Sequence, residues 1–301
     1  MSLITTEQLT KTFKEETAVK DVDITIREGA CTALLGPNGA GKTTTLNMIA
    51  GLMKPSRGHI AFANNPKEDP RHHLGYLPQY PKFYGWMSGL EYLIYVGELA
   101  HLPRKKAKEK AEELLSLVGL IDAKAKKIAG YSGGMKQRLG IAQALIHNPK
   151  LVILDEPVSA LDPHGRREVL ELMKRMKQDT SILFSTHVLH DAEEVCDDIF
   201  IMKNGEVVVN GSLENLQQKH QQPAIHVETE QDLTEWAKEI AEKQWVSQWS
   251  VDTHKLKMTV DEVTIARKEI LADPSFHELK PVRFEVVKTT LEDLFMKVTQ
   301  S

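Results

Sequence analysis

Cysteine is scarce in this sequence: 301 residues hold two, Cys31 and Cys196. That excludes a disulfide framework and fits a reducing compartment, and the apolar context of both positions reads as core. A long hydrophobic run is also missing. No stretch approaches the ~18 apolar residues of a membrane-spanning helix, and the opening MSLITTEQLTK carries no signal-peptide pattern. Nor is there a basic excess. With 38 Lys and Arg against 42 Asp and Glu, the net charge is −4, which gives no electrostatic invitation to nucleic acid. The 41% hydrophobic and 27% charged composition is that of a soluble globular protein, cytoplasmic in the simplest reading. Its length suits one large or two ordinary domains.

The most informative stretch is Leu34–Leu52, LLGPNGAGKTTTLNMIAGL. An apolar approach over Thr32–Leu35 predicts a buried strand, and Leu46, Ile49 and Ala50 predict a helix. Between them lies G-x-x-x-x-G-K-[ST], with Gly36, Pro37, Asn38, Gly39, Ala40, Gly41, Lys42, Thr43 and Thr44 in sequence. Glycines at 36, 39 and 41 let backbone N–H groups turn into one concavity, and the helix start adds positive potential. A nucleoside triphosphate suits that cradle. Lys42 would reach the β/γ phosphates, and the Thr43 hydroxyl would ligate Mg²⁺.

Elsewhere the pattern alternates between strands and helices. Leu9–Phe13 reads as a short strand, and Val22, Ile24 and Ile26 alternate with polar residues as a half-buried one. His59–Ala63 and Gly75–Pro78 are further short strands, the latter leaving Gln79 at its end. Tyr80–Met87, YPKFYGWM, is dense in aromatics and is either a satellite core or an exposed partner patch. Leu90–Ala100 and Ala107–Val118 have helical periodicity, and the basic run Arg104–Lys110 reads as a solvated face. Ser132-Gly133-Gly134 opens another helix and makes a second anion site by the physics of the first. One chain cannot easily bring both sites to one triphosphate; two chains head to tail can.

These motifs, in this order, resemble the ATP-binding-cassette ATPases over roughly residues 3–218. The signature differs from the usual Leu-Ser-Gly-Gly-Gln only at Tyr131 and Met135. The resemblance implies an α/β fold: a P-loop core with an antiparallel β subdomain and a helical subdomain at about 80–148. It implies that Phe13 stacks on adenine, and that Ser132, Gly133 and Gly134 complete an ATP site across a dimer. Leu151–Leu154 predicts a buried parallel strand ending in Asp155 and Glu156, beside the phosphate loop. Asp155 and Gln79 would serve Mg²⁺, and Glu156 would orient or deprotonate the attacking water. Gln79 and His187 join Glu156 as catalytic candidates, with His187 matching the family's switch histidine. Ser159–Asp162 resembles the loop that runs across the dimer interface.

A hairpin at 199–209, turning at Asn204-Gly205, closes the nucleotide domain, expected as 1–218. Gln217–Pro223 reads as a linker. Residues 219–301 then follow a βαββαβ order, with a final helix at Leu291–Val298, which suggests a small ferredoxin-like α+β domain. Its ending, Thr290–Phe295, resembles ATPases of two-component bacterial ABC-2 exporters. The expectation is therefore an ATP-hydrolysing subunit, a homodimer or heterodimer, that drives a separately encoded integral membrane permease from the inner face of the membrane. The alternatives are a cassette ATPase uncoupled from transport, an importer ATPase, and an idle nucleotide sensor. Lys42, Asp155, Glu156 and His187 disfavour the last.

Overall fold

A computed structural model of the chain describes residues 1–62, 69–159, 161–220, 223–288 and 295. The chain divides into two compact units, Met1–Leu213 and Glu214–Ser301; the expected boundary lay at 218. The first unit is built on a six-stranded sheet. Its order is Glu206–Ser212, Asp198–Lys203, Cys31–Leu35, Ser181–Thr186, Leu151–Asp155 and Leu74–Leu77. All neighbours run parallel except the first pair, a hairpin. Asn204 and Gly205 both have positive φ, 50° and 82°, as the type I′ turn requires.

The central strands are apolar because both faces are covered. Every residue of Cys31–Leu35, Leu151–Asp155 and Ser181–Thr186 is buried. Burying a Val, Leu or Ile there contributes roughly 1.5–3 kcal/mol, so these strands hold their ends rigidly where the polar residues begin. Cys31 and Cys196 are buried, as their context implied.

A four-stranded sheet joins Ser2–Phe13 to Glu16–Val22, Thr25–Arg27 and Arg57–Phe62, all antiparallel. The alternation of Val22, Ile24 and Ile26 is real, since all three are buried. However, it spans two strands: Val22 ends one, and Ile26 lies in the next. Asp21, at φ 47°, sits in the left-handed region just before the break, and Asp23 accepts a bond from the Gln8 N–H at 2.6 Å.

The helical part comprises Gly89–Leu99, Arg104–Leu117 and Gly133–Leu145. Ser88 and Glu91 form a complete capping box on the first of these helices. Tyr131 departs from the usual leucine and fills a gap that only glycine leaves. Its hydroxyl lies 2.4 Å from where a Cβ on Gly89 would stand, and it donates to the Ala123 carbonyl at 2.8 Å.

The second unit has a four-stranded antiparallel sheet in the order Val246–Asp252, Lys255–Val260, Pro223–Thr229 and Pro281–Lys288. Helices Thr234–Ala241 and Val263–Ala272 supply Trp236, Ala237, Ile240, Ala266 and Ile270 to a core with Ile225, Val227, Leu256 and Met258. The βαββαβ order and this sheet order are those of a ferredoxin-like sandwich. The linker expected at 217–223 is corrected: helix Leu213–His220 and strand Pro223–Thr229 occupy most of it. Leu213 and Leu216 are spaced for one helix face, and Leu216 is buried. A short helix, Pro274–Glu278, lies between Val263–Ala272 and the last strand. The final helix expected at 291–298 lies outside the described residues, Phe295 excepted.

Candidate functional site

Three adjacent parallel strands deliver the polar groups to one end of the sheet. Cys31–Leu35 runs into the glycine loop, Leu151–Asp155 into Glu156, and Ser181–Thr186 into His187. Gly36 has φ 156°, and a Cβ there would stand 2.5 Å from the Met202 carbonyl oxygen. Gly41, at φ 99°, would put its Cβ equally close to the Ala18 carbonyl oxygen. Backbone does not yield to such contacts, so the loop's path demands glycine at both positions. Gly41 caps helix Lys42–Ile49 with no side-chain hydrogen bond. The first-turn N–H groups therefore keep their capacity for an anion.

Lys42 is buried and folded back on the loop. Its Nζ donates to the Gly36 carbonyl at 2.8 Å and to that of Pro37 at 3.1 Å, and lies 3.7 Å from Glu156 Oε1. Burial pushes its pKa below the usual lysine value, and Glu156 and Asp155 only partly offset that. More negative charge is what this ammonium lacks.

Beside it, Thr43 donates its hydroxyl to Asp155 Oδ1 at 3.2 Å. The same oxygen accepts from Ser185 at 2.6 Å, and Ser185 Oγ in turn accepts the Glu156 N–H at 2.9 Å. Glu156 itself has φ 49°, uncommon for a non-glycine residue. That strained turn swings its carboxylate, 7% exposed, toward Lys42 on one side and His187 on the other. His187 Nδ1 stands 2.8 Å from Glu156 Oε2 and 3.1 Å from Oε1.

Ser132 caps helix Gly133–Leu145, its hydroxyl accepting from the Met135 N–H at 3.2 Å. Ser132 and Gly133 are exposed and Gly134 is half-buried. Among the described residues no hydrogen bond or ion pair joins these three to the loop 36–44. Gln79 is half-buried just past strand Leu74–Leu77. Phe13 is 45% exposed, with the Lys11 ammonium 5.2 Å from its ring centroid. Asp162 caps helix Pro163–Met176 by accepting the Gly165 N–H at 2.8 Å. Ala160 lies outside the described residues.

Known proteins resemble this chain. The "ABC transporter" family model matches residues 19–159, and the model for the C-terminal domain of ATP-binding proteins like DrrA1-3 matches 211–299. YxlF of Bacillus subtilis, an uncharacterized ABC transporter ATP-binding protein, is 47% identical over 99% of this chain and 100% of its own length. This chain belongs to the ABC transporter ATP-binding proteins.

The linearmycin resistance ATP-binding protein LnrL of the same organism is 30% identical over 99% of this cassette chain and 98% of its own. Among solved structures, the dimeric cassette MJ0796 in a post-hydrolysis state with ADP and Pi is 27% identical (TM-score 0.64; 70% of this chain, 99% of that one). CbiO1 of Clostridium perfringens, part of the ABC transporter complex cbiONQ, is 27% identical (TM-score 0.66; 81% and 96%). The chain is thus an ATP-binding, ATP-hydrolysing cassette.

Two features of the cassette escaped the motifs. Ser185 ties Asp155 to Glu156, yet it reads in sequence as the polar end of an apolar strand. Tyr76 donates to Asn47 Oδ1 at 2.8 Å, fastening strand Leu74–Leu77 to the helix that Lys42 begins. Burial, helped by Asp155, pushes the Tyr76 phenol up to about 12.

Proposed function

We propose that this cassette is the ATP-hydrolysing subunit of an exporter. It works as a head-to-tail pair on the cytoplasmic face of the membrane, driving a separately encoded membrane subunit. One observation carries the chemical part: Glu156 stands between Lys42 and His187, Thr43 bonds Asp155, and Ser185 links Asp155 to the Glu156 backbone. The triphosphate would draw Lys42 off the Gly36 and Pro37 carbonyls, replacing two neutral acceptors by a charged one. Glu156 then orients the attacking water and takes its proton, with His187 holding the carboxylate at its other edge.

Thr43 and Asp155 fit Mg²⁺. They offer hard oxygen donors 3.2 Å apart, and a cation of that kind keeps waters and phosphate oxygens as its other ligands. Bound there, Mg²⁺ would neutralise charge on the transferring phosphate; Gln79, at the neighbouring strand end, is the further candidate for its shell. Phe13, exposed at the end of its strand, would stack on the adenine. Ser132, Gly133 and Gly134 would reach the nucleotide of the opposite copy, consistent with their exposure and with the dimeric state of MJ0796. The catalytic part expected at 1–218 and the accessory part at 219–301 would correspond to the two units, which divide between Leu213 and Glu214.

The exporter reading draws on the DrrA-like C-terminal match and on LnrL, whose name couples it to resistance. Tyr84 and Trp86, 50% and 71% exposed, are the anchors proposed for the membrane subunit. To test this, the chain is co-expressed with a neighbouring gene product of about six hydrophobic spans. Tyr84→Ala with Trp86→Ala should weaken co-purification while basal ATPase stays normal. Full-strength capture by the double variant rejects the anchor role, and a membrane partner that accumulates substrate inward rejects export.

A further inference from the structure

Away from the nucleotide loop, the end of helix Arg104–Leu117 and the helices Gly133–Leu145 and Pro163–Met176 border an open cavity of about 420 Å³. That lies within the ~300–1,000 Å³ of small-molecule sites. Three guanidiniums line it: Arg138, Arg167 and Arg175. The Arg138 side chain is only 18% exposed, and its buried Nε has no hydrogen-bond partner. Arg167 makes no hydrogen bond or ion pair among the described residues. Arg175 donates once, to the Leu117 carbonyl at 3.3 Å.

Two carboxylates also line the cavity, and both are engaged. Glu168 faces Arg138 at 3.5 Å and His164 at 3.8 Å, and Glu171 holds Lys174 at 2.8 Å. Lys174 is shared with Glu194 at 2.8 Å and lies outside the lining, so the pocket itself sets three guanidiniums against two carboxylates, an excess of one positive charge. Planar guanidinium forks of this kind match phosphate and carboxylate oxygens. Leu117, Val118 and Leu172 give the cavity an apolar wall. A bare inorganic ion would leave most of the volume unfilled.

We propose that this cavity binds a small organic oxyanion, a phosphate- or carboxylate-bearing molecule, held by Arg167 and Arg175 with Arg138 behind them. Such a ligand bridges two working elements. Arg138 lies on the helix capped by Ser132, and Arg167 and Arg175 lie on the helix capped by Asp162. Its occupancy would set the angle at which Ser132–Gly134 is presented, independently of the nucleotide loop.

The test uses the full chain saturated with ADP and free of magnesium, so that the loop 36–44 is already filled. Glycerol 3-phosphate and citrate are titrated separately by calorimetry. Saturable one-to-one binding of one of them is expected, and the arm that saturates names the anion class. Arg167→Gln, at an exposed position, should fold normally and weaken that binding roughly tenfold or more, as loss of a charge-assisted hydrogen bond implies. Arg175→Gln should do the same, and if it melts early through loss of the Leu117 contact, Arg167→Gln decides alone. No saturation in either arm, or affinity unchanged in Arg167→Gln, overturns the proposal.

Discussion

Neutralising Glu156 separates binding from chemistry in a way the site's geometry makes quantitative. Glu156→Gln keeps the side-chain shape, and with it the backbone turn at φ 49°. It removes the charge 3.7 Å from the Lys42 ammonium. At an effective dielectric near 20, that is about 4 kcal/mol of gross attraction. The phosphate must compete with that attraction for Lys42, so ATP affinity in the variant should stay within about tenfold of wild type or rise. Turnover should fall by roughly 10²–10⁴, the usual worth of a positioned general base. Nucleotide affinity by fluorescence titration and phosphate release on the same preparation give both quantities. Near-normal hydrolysis refutes the role of Glu156. Lost ATP binding refutes the argument that its carboxylate competes for Lys42.

Further expectations rest on other parts of the molecule. Ser185→Ala strands the buried Glu156 N–H and removes a donor from Asp155, which should cost about 1–3 kcal/mol of stability and lower kcat more than it raises KM; an unchanged melting curve contradicts the bridge. A chain ending at Leu213 retains every phosphate-contacting candidate and should hydrolyse ATP; a folded truncation that binds no nucleotide shows that the two units are not independent. Since the Tyr76 phenol titrates near 12 in the fold against an ordinary 10, folding favours its neutral form. That contribution to stability is complete below pH 10 and is lost as pH rises toward 12, and Tyr76→Phe should flatten the slope in alkaline denaturation curves; an equal slope contradicts it.

The catalytic parts were legible because phosphate chemistry dictates residue types at short spacing. The glycine loop, Lys42 and Thr43 sit within eight consecutive positions, and the loop's need for glycine at 36 and 41 follows from backbone contacts any sequence must satisfy. What joins distant segments was less visible. Thr43 and Asp155 are 112 positions apart and 3.2 Å distant in the fold; the rule that carboxylates at parallel strand ends lie beside the phosphate loop brings them near each other, but no local pattern pairs them. Ser185 depends on strand register, since it lies opposite Asp155 across two parallel strands, and no local pattern announces that. The glutamines of Gln217–Pro223 suggest a linker, yet Leu213–His220 holds neither glycine nor proline to break a helix and forms one. The short helix Pro274–Glu278 was readable: Asp273 accepts the Ser275 N–H at 2.9 Å as its cap, and Pro274 sits at the first helical position.

The central claim is that one ATP needs two chains, Lys42 from one and Ser132–Gly134 from the other. Complementation tests it most directly. Lys42→Ala chains and Ser132→Arg chains, carrying different affinity tags, are mixed and the doubly tagged heterodimer is isolated. Each homodimer has no complete site, whereas the heterodimer has one, made from the intact loop of the second chain and the intact Ser132 of the first. The account predicts ATPase activity in the heterodimer clearly above that of either variant alone. A heterodimer of verified composition that stays as inactive as its parents would contradict it.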